Sequence, residues 1–205
     1  FASTLGPFAA FADLPLELDH QALDLYFQMS YVPAPLSIYR AIRKVRPGTW
    51  IEFAANGQAR ETAYWQPAAQ SAPATETEAL DELESRLISS IRYRVISDVP
   101  VGAFLSGGID SSLVVALMRS LTPGVRTFTI GFTERAHDES PYALAISRHL
   151  GTEHTQLTVT PAHLLELADT LPRHYDEPFA DASAIPTLAL AHLTRQHVTV
   201  ALSGD

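Results

Sequence analysis

The 205-residue sequence contains no cysteine, and this absence excludes several kinds of site. Without a thiol, these residues form no disulfide, no thiolate zinc site and no cysteine nucleophile. Apolar runs long enough to span a membrane are also missing, and the first residues lack the basic segment and apolar core of a secretory signal. These absences predict a soluble protein without a membrane partner, in a reducing compartment such as the cytoplasm.

Positive charge is scarce as well. The sequence has 14 Lys and Arg against 23 Asp and Glu, for a formal net charge of −9 at pH 7, and its longest basic cluster is the pair Arg43-Lys44. An acidic surface repels the phosphates of nucleic acids and of anionic membranes. We therefore expect small molecules or proteins as partners and no nucleic acid, and a homodimer is one assembly that the sequence allows.

The most informative stretch is residues 101–118. A short apolar run at 101–105 is followed by Ser-Gly-Gly-Ile-Asp-Ser-Ser at 106–112 and by a second apolar run, a pattern that predicts a buried strand, a loop and a helix. Gly107 and Gly108 let the backbone approach a ligand closely. Because the following helix begins with unpaired N–H groups and the positive end of its dipole, the loop predicts a phosphate site.

The polar side chains of this loop suit a nucleotide with a metal ion. Ser106, Ser111 and Ser112 offer hydroxyl donors, whereas Asp110 lies beside a phosphate favourably when a cation such as Mg²⁺ is between them. Neither the Walker-type nor the dinucleotide-binding glycine spacing is present. A strand-to-helix turn built from small residues is the alternative, and the Asp-Ser-Ser sequence behind a buried strand favours the phosphate site.

Two short strands, at 49–53 and 59–64, flank Asn56-Gly57 and predict a β-hairpin. Trp50 and Trp65 are its expected anchors. A helix capped by Asp19 is predicted before it, through residue 28. The Pro-, Ala- and Ser-rich stretch after the hairpin predicts a linker. We therefore place one domain at 1–65, a linker at 66–75 and a second domain at 76–205.

The second domain alternates strands and helices, which predicts a doubly wound α/β fold with a parallel sheet. A capping box, Thr75 with Glu78, begins a helix whose apolar stripe we assign to the core. The predicted strands are 101–105, 127–131, 155–159 and 198–202, and the predicted helices begin at 111, 140, 161 and 184. If the first and last strands pair, Ser203-Gly204 lies beside Ser106, because ligands of such sheets bind at the carboxyl ends of the strands. An ordinary strand-ending turn is the alternative for Ser203-Gly204.

These motifs together carry a family resemblance. The loop at 106–112 closely resembles the pyrophosphate loop (PP-loop) of the N-type ATP pyrophosphatases, and with Val-Pro-Val-Gly-Ala-Phe-Leu before it the chain resembles glutamine-dependent asparagine synthetases. Four further segments add to the resemblance, at 127–132, 138–143, 175–181 and 200–205. It implies an adenine nucleotide alpha hydrolase-like PP-loop fold, preceded by the C-terminal remnant of an N-terminal-nucleophile glutaminase domain.

The implied reaction adenylates the side chain of aspartate with ATP and Mg²⁺. Ammonia, released from glutamine or supplied free, then displaces AMP to give asparagine. The cysteine nucleophile of the glutaminase domain lies outside this sequence. We expect the chain to be an internal fragment that is inactive alone.

The resemblance also assigns residue roles. Leu105 and Ile130 would receive the adenosine, residues 106–112 the pyrophosphate, and Ser203 with Gly204 would close over the nucleotide. Asp110 would hold Mg²⁺ with a carboxylate beyond position 205. Asp205 would be catalytic, in forming the acyl-adenylate and handling the incoming amine. Asparagine synthetases often carry Glu at that position, so Asp205 leaves the subtype open.

Other interpretations remain. A related amidotransferase or cyclase would adenylate a different carboxylate, and a nucleotide-binding module without catalysis is disfavoured by the intact Asp110 and Asp205. An enzyme that activates RNA bases would need a basic surface. Glu139 is explained by the dipole of the helix that follows it. Asp176, Glu177 and Asp181 either shape the substrate pocket or lie in a solvated loop. We assign no catalytic role to the histidines.

Overall fold

The structure, a computed structural model, describes residues 1–68, 73, 75–134 and 138–204. The chain divides into two compact units. The first contains Phe1–Gln70 together with Thr170–Ala182, and the second contains Ser71–Asp169 together with Ser183–Asp205. Residues 69–72 and 74 of the predicted linker lie outside the described residues.

In the described residues of the first unit, the α-helix is α1 (His20–Met29), which follows a short 3₁₀ turn at Gly6–Ala10. The Asp19 carboxylate caps α1 by accepting hydrogen bonds from the backbone N–H groups of Gln21, at 2.9 Å, and Ala22, at 3.2 Å. Ala22 is fully buried and packs in a small apolar cluster with Val32 and Ile38. The predicted helix and its cap are therefore confirmed.

The predicted hairpin is present as β1 (Thr49–Phe53) and β2 (Ala59–Ala63), paired antiparallel from Thr49 with Ala63 to Phe53 with Ala59. The prediction that tryptophan rings anchor it is wrong, because Trp50 is 46% exposed and Trp65 is 60% exposed. Backbone hydrogen bonds join the two open ends of the hairpin instead. The N–H groups of Tyr64 and Trp65 both donate to the carbonyl oxygen of Gly48, at 2.9 and 3.2 Å.

The second unit begins with α2 (Glu76–Val95), whose N-terminus is closed by the predicted capping box. The Thr75 hydroxyl accepts from the Glu78 N–H at 3.2 Å, and the Glu78 carboxylate accepts from the Thr75 N–H at 3.1 Å. The apolar stripe reaches the core in its C-terminal half, where Ile91 is buried. Leu80 and Leu83 are more than half exposed, so the core assignment is wrong for the first turns of α2.

Four parallel strands follow, with the spatial order β5-β4-β3-β6. Their bounds are Val101–Phe104 (β3), Arg126–Phe132 (β4), Glu153–Val159 (β5) and Val200–Leu202 (β6). The helices that connect them are α3 (Ile109–Leu121), α4 (Ser140–Leu150), α5 (Pro161–Ala168) and α6 (Ala184–Arg195). Right-handed crossovers in this order place α3 and α4 on one face of the sheet and α5 and α6 on the other. The domain is the predicted doubly wound α/β fold.

The order of the strands decides where a ligand can bind. β3 pairs with β4 on one side and with β6 on the other, from Val101 opposite Val200 to Ala103 opposite Leu202. The predicted pairing of the first and last strands is therefore confirmed. The chain direction switches beside β3, and the carboxyl end of β3 is thus the expected ligand edge. None of the helices in the described residues is both long and apolar enough to cross a membrane.

Candidate functional site

A tight loop joins β3 to α3 at the carboxyl edge of the sheet. Gly107 has φ = +88°, a backbone conformation that glycine adopts without strain. A Cβ at position 107 would lie 2.8 Å from the Cβ of Tyr142 and 2.9 Å from the backbone nitrogen of Ala143. The loop is therefore packed against the first turn of α4, and glycine is required there for both reasons.

The serine side chains hold this loop in shape. Ser111 is 7% exposed, and its hydroxyl accepts from the Ser106 N–H at 3.2 Å and donates to the Gly108 carbonyl at 3.3 Å. The Ser106 hydroxyl lies 2.9 Å from that of Ser111 and accepts from the Gly108 N–H at 3.2 Å. Ser112 also donates its hydroxyl to Gly108. The sequence predicts these hydroxyls as phosphate donors, and it gives no signal for the hydrogen bonds that they make within the loop.

Helix α3 begins at Ile109, two residues before the predicted start at 111. Gly108 is its N-cap, and no side chain of the described residues caps the helix there. The first-turn N–H groups of an α-helix have no intrahelical acceptor, so those of Ile109, Asp110 and Ser111 form an anion-binding end. The earlier start also places the exposed Asp110 side chain in the first turn.

The second Ser-Gly segment, Ser203-Gly204, meets the same helix end. A Cβ at position 204 would lie 2.5 Å from the backbone nitrogen of Ser111 and 2.9 Å from the carbonyl carbon of Asp110. The backbone of Gly204 therefore lies directly against the first turn of α3, as the pairing of β3 with β6 predicts. Asp205, the predicted catalytic residue, lies outside the described residues.

A cavity of about 330 Å³ opens beside the loop. Its walls come from the ends of β3 and β4, from Glu139 and from the start of α6. Leu105 and Ile130, the predicted adenosine contacts, and Ser106 all line it. The other lining residues are Phe104, Thr129, Phe132, Glu139, Ser183, Pro186, Thr187 and Leu190. A mostly apolar cavity next to an anion-binding helix end suits a molecule with a flat apolar part and a phosphate chain.

Comparison with protein families gives two matches along the chain. The family model described as asparagine synthase matches residues 82–205, and the model described as glutamine amidotransferase domain matches residues 1–65. The chain belongs to the asparagine synthase family. The loop at 106–112, Asp110, the cavity and Ser203-Gly204 all lie within the asparagine synthase match.

Two similar proteins are named as glutamine-hydrolysing asparagine synthetases. Asparagine synthetase (glutamine-hydrolysing) 1 of Bacillus subtilis is 32% identical, over 93% of this chain and 30% of that protein. A putative asparagine synthetase (glutamine-hydrolysing) 2 of Methanocaldococcus jannaschii is 36% identical, over 92% of this chain and 37% of that protein. This chain therefore spans about a third of each. The solved glutamine-dependent NAD⁺ synthetase of Acinetobacter baumannii, in complex with ADP, is 23% identical over 76% of this chain and 30% of that chain, with a TM-score of 0.47.

The two acidic residues at the start of α4 make different contacts. The Asp138 Oδ1 accepts from the N–H of Ser140 at 3.1 Å and from that of Phe132 at 3.2 Å, whereas Glu139, the N-cap residue of α4, makes no side-chain hydrogen bond to the helix end. A hydrogen bond from the Ser140 side chain, supported by these two backbone bonds, lowers the pKa of Asp138 against the opposing effect of desolvation. Glu139 instead contributes to the cavity wall.

Replacing Asp138 with alanine is expected to destabilise the fold by about 1 kcal/mol at pH 7, the usual cost of losing a helix cap. Because folding lowers the pKa of Asp138, its stabilisation is present above the ordinary aspartate pKa of about 3.9 and is lost as the pH falls through the folded value. Urea unfolding at pH 7 and pH 3 measures this. Asp138→Asn, which keeps an acceptor oxygen, should lose less, and an Asp138→Ala deficit that is equal at both pH values would contradict the role of the charge.

The other acidic pair, Asp176 and Glu177, belongs to the first unit. Both carboxylates accept backbone hydrogen bonds there, and both line a cavity of that unit, where Asp176 is exposed and Glu177 is half-buried. In the second unit, His154 Nδ1 lies 2.9 Å from the Thr127 hydroxyl, and burial lowers the pKa of this histidine. Within the described residues, no group of three or more His, Cys, Asp or Glu side chains is arranged to hold a metal ion.

Proposed function

We propose that the protein adenylates the side-chain carboxylate of aspartate with ATP and transfers glutamine-derived ammonia to it, giving asparagine, AMP and pyrophosphate. One observation carries the proposal: the loop at 106–108 and Ser203-Gly204 converge on the first turn of α3, beside an apolar cavity. Membership of the asparagine synthase family and the glutamine amidotransferase match at residues 1–65 support it.

The residues present fit ATP. The cavity lined by Leu105 and Ile130 takes the adenosine, and the phosphates extend along Ser106 to the N–H groups at the start of α3. A Cβ at Gly108 would meet the Ser106 hydroxyl at 3.3 Å as its nearest described neighbour, so the backbone is open to a ligand on that side. Ser203-Gly204 then borders the phosphates from the β6 side.

The donor set also fits Mg²⁺. Mg²⁺ is commonly held by one or two carboxylates together with the substrate's phosphates, and Asp110 offers an exposed carboxylate at the phosphate-binding end of α3. The ion would neutralise phosphate charge. This matters because an attacking carboxylate and the α-phosphate of ATP are both anions, so the reaction depends on positioning and on cations and N–H dipoles.

Asp205 remains the proposed catalytic residue. Attack by ammonia on the acyl-adenylate requires removal of a proton, which a positioned carboxylate can accept. Asp205 follows Gly204 in the sequence, and the backbone of Gly204 contacts the helix end that we assign to the phosphates. We further propose that the enzyme works in the cytoplasm and that residues 1–205 alone bind the nucleotide without turnover.

Nucleotide product analysis tests the proposal. The complete protein that contains this sequence is incubated with ATP, Mg²⁺ and glutamine, together with aspartate or one of a panel of other carboxylates. Aspartate-dependent AMP and pyrophosphate are expected. AMP formed with another carboxylate alone would assign the protein to a related amidotransferase or cyclase, whereas ADP, or no turnover with any carboxylate, would contradict the adenylation mechanism.

A further inference from the structure

Glu139 carries the one charge in the wall of the cavity beside the loop at 106–108, here called the nucleotide cavity, among the lining residues that the structure describes. The other described lining residues are apolar or carry hydroxyl groups. The exposed Glu139 side chain makes no hydrogen bond to the end of α4, where the Asp138 carboxylate accepts from the N–H of Ser140. A helix-capping contact therefore does not account for the Glu139 carboxylate.

The position of Glu139 is next to the phosphate loop. A Cβ at Gly107 would lie 3.3 Å from the carbonyl oxygen of Glu139, and Ser106, the residue before Gly107, lines the same cavity as Glu139. The Glu139 carbonyl oxygen also accepts from the N–H groups of Tyr142 at 3.0 Å and Ala143 at 3.2 Å, which fixes its backbone to the first turn of α4. Glu139 is thus at the end of the nucleotide cavity that adjoins the loop assigned to the phosphates.

A carboxylate at this place restricts which part of a nucleotide can face it. A carboxylate accepts hydrogen bonds and repels the phosphates. An adenosine nucleotide offers hydrogen-bond donors in two places, at the ribose hydroxyls and at the amino group of the base. The ribose is joined directly to the phosphate chain, whereas the amino group is on the far side of the base, so the hydroxyls are the donors nearest to the loop. In dinucleotide-binding folds, an acidic residue accepts from a ribose hydroxyl in the same way.

We propose that Glu139 accepts hydrogen bonds from the ribose hydroxyls of the nucleotide and so selects nucleotides that carry them. The two adjacent acidic residues then have separate roles, because Asp138 stabilises the start of α4 and Glu139 contacts the ligand. The inference rests on the proposed function in taking an adenine nucleotide as the occupant of the cavity. It adds a specificity-determining contact on the sugar to the contacts already assigned to the base and the phosphates.

The dissociation constants of ATP and 2′,3′-dideoxyATP test this, measured by calorimetry on the complete protein with Mg²⁺ and without a carboxylate substrate. The unaltered protein is expected to bind dideoxyATP at least tenfold more weakly than ATP, the lower end of the effect of a hydrogen bond to a charged group. Glu139→Ala should bind ATP about tenfold more weakly. It should bind dideoxyATP at least as tightly as the unaltered protein does, because repulsion of the phosphates is removed. Glu139→Gln, which keeps an acceptor oxygen, should retain part of the preference.

Glu153→Ala is the matched control, since it removes the same charge from an exposed glutamate. Glu153 begins β5 and pairs with Arg126, so it lies at the edge of the parallel sheet opposite the cavity. This variant should keep the unaltered preference for ATP over dideoxyATP. If Glu139→Ala weakened the binding of both nucleotides by the same factor, the residue would have only a structural role, and the inference would be overturned.

Two further comparisons address the other possible partners of the carboxylate. Inosine triphosphate lacks the amino group of the base, and a titration with Mg²⁺ chelated removes the cation. A preference for ATP over inosine triphosphate that is lost in Glu139→Ala, or an effect of Glu139→Ala that disappears without Mg²⁺, would overturn the ribose contact. Failure of the unaltered protein to bind ATP would contradict the proposed function, and the inference with it. Normal ATP binding with an unchanged preference in Glu139→Ala would overturn the inference alone.

Discussion

Gly204→Ala is expected to weaken ATP binding by about 100-fold, because the added methyl group collides with backbone that cannot move freely. The new Cβ would lie 2.5 Å from the nitrogen of Ser111 and 2.9 Å from the carbonyl carbon of Asp110. Overpacking of this kind typically costs 1–3 kcal/mol, and about 1.4 kcal/mol corresponds to a tenfold change in affinity. The displaced atoms belong to the helix turn whose N–H groups we assign to the phosphates.

Calorimetric titration with ATP and Mg²⁺ measures this effect, with thermal unfolding recorded in parallel. Gly151→Asn is the matched control in the same unit. Gly151 ends α4 with φ = +64°, a Cβ there would meet none of the described atoms within 4 Å, and asparagine tolerates this conformation. The control should bind ATP normally at a small cost in stability. Unweakened ATP binding by Gly204→Ala would show that the phosphates do not bind at this end of α3.

The sequence predicts the ligand edge of the sheet well because local signals and topology agree there. A buried strand before residues 106–112 and the short strand before Ser203-Gly204 are both visible as apolar runs, and their parallel pairing follows from the doubly wound order. Once these strands pair, the two Ser-Gly segments must meet at the same edge. That inference needs no side-chain detail, and the contact of Gly204 with Ser111 is its structural result.

The errors fall where a single local signal has two explanations. The motif at 106–112 has the composition of a small-residue loop before an apolar run, which predicts a helix start at 111, whereas the last part of the same motif forms the first turn of α3 from Ile109. Glu139 and Asp138 are both acidic residues before a helix, and the geometry of the turn, which sequence does not show, directs the Asp138 carboxylate to the N–H of Ser140. The clearest limit is the segment Thr170–Ala182 of the first unit. Its partners, such as Lys44, are more than 100 residues away, and no local pattern specifies contacts of that range.

Asp110→Asn is expected to change ATP binding in opposite directions with and without Mg²⁺. In the presence of Mg²⁺, loss of a carboxylate ligand should weaken binding roughly 10- to 100-fold, the size expected for an interaction with a charged group. With the metal chelated, the same substitution should strengthen ATP binding, because the wild-type carboxylate then faces the phosphates with no cation between them. Turnover to AMP should fall in parallel with the Mg²⁺-dependent affinity.

This change of sign in the effect on ATP affinity distinguishes a metal-binding role of Asp110 from a role in stabilising the helix. Asp110 lies in the first turn of α3, where a carboxylate also stabilises the helix dipole by about 0.3–1 kcal/mol, so Asp110→Asn should unfold slightly more easily. Asp98→Asn, which removes an exposed carboxylate before β3, controls for the change in net charge. If Asp110→Asn binds ATP more weakly in both conditions, the carboxylate acts through the helix and not through a cation. If the order reverses, Asp110 and the phosphates share a cation, and the acidic residue in this loop is explained by the ion that it holds.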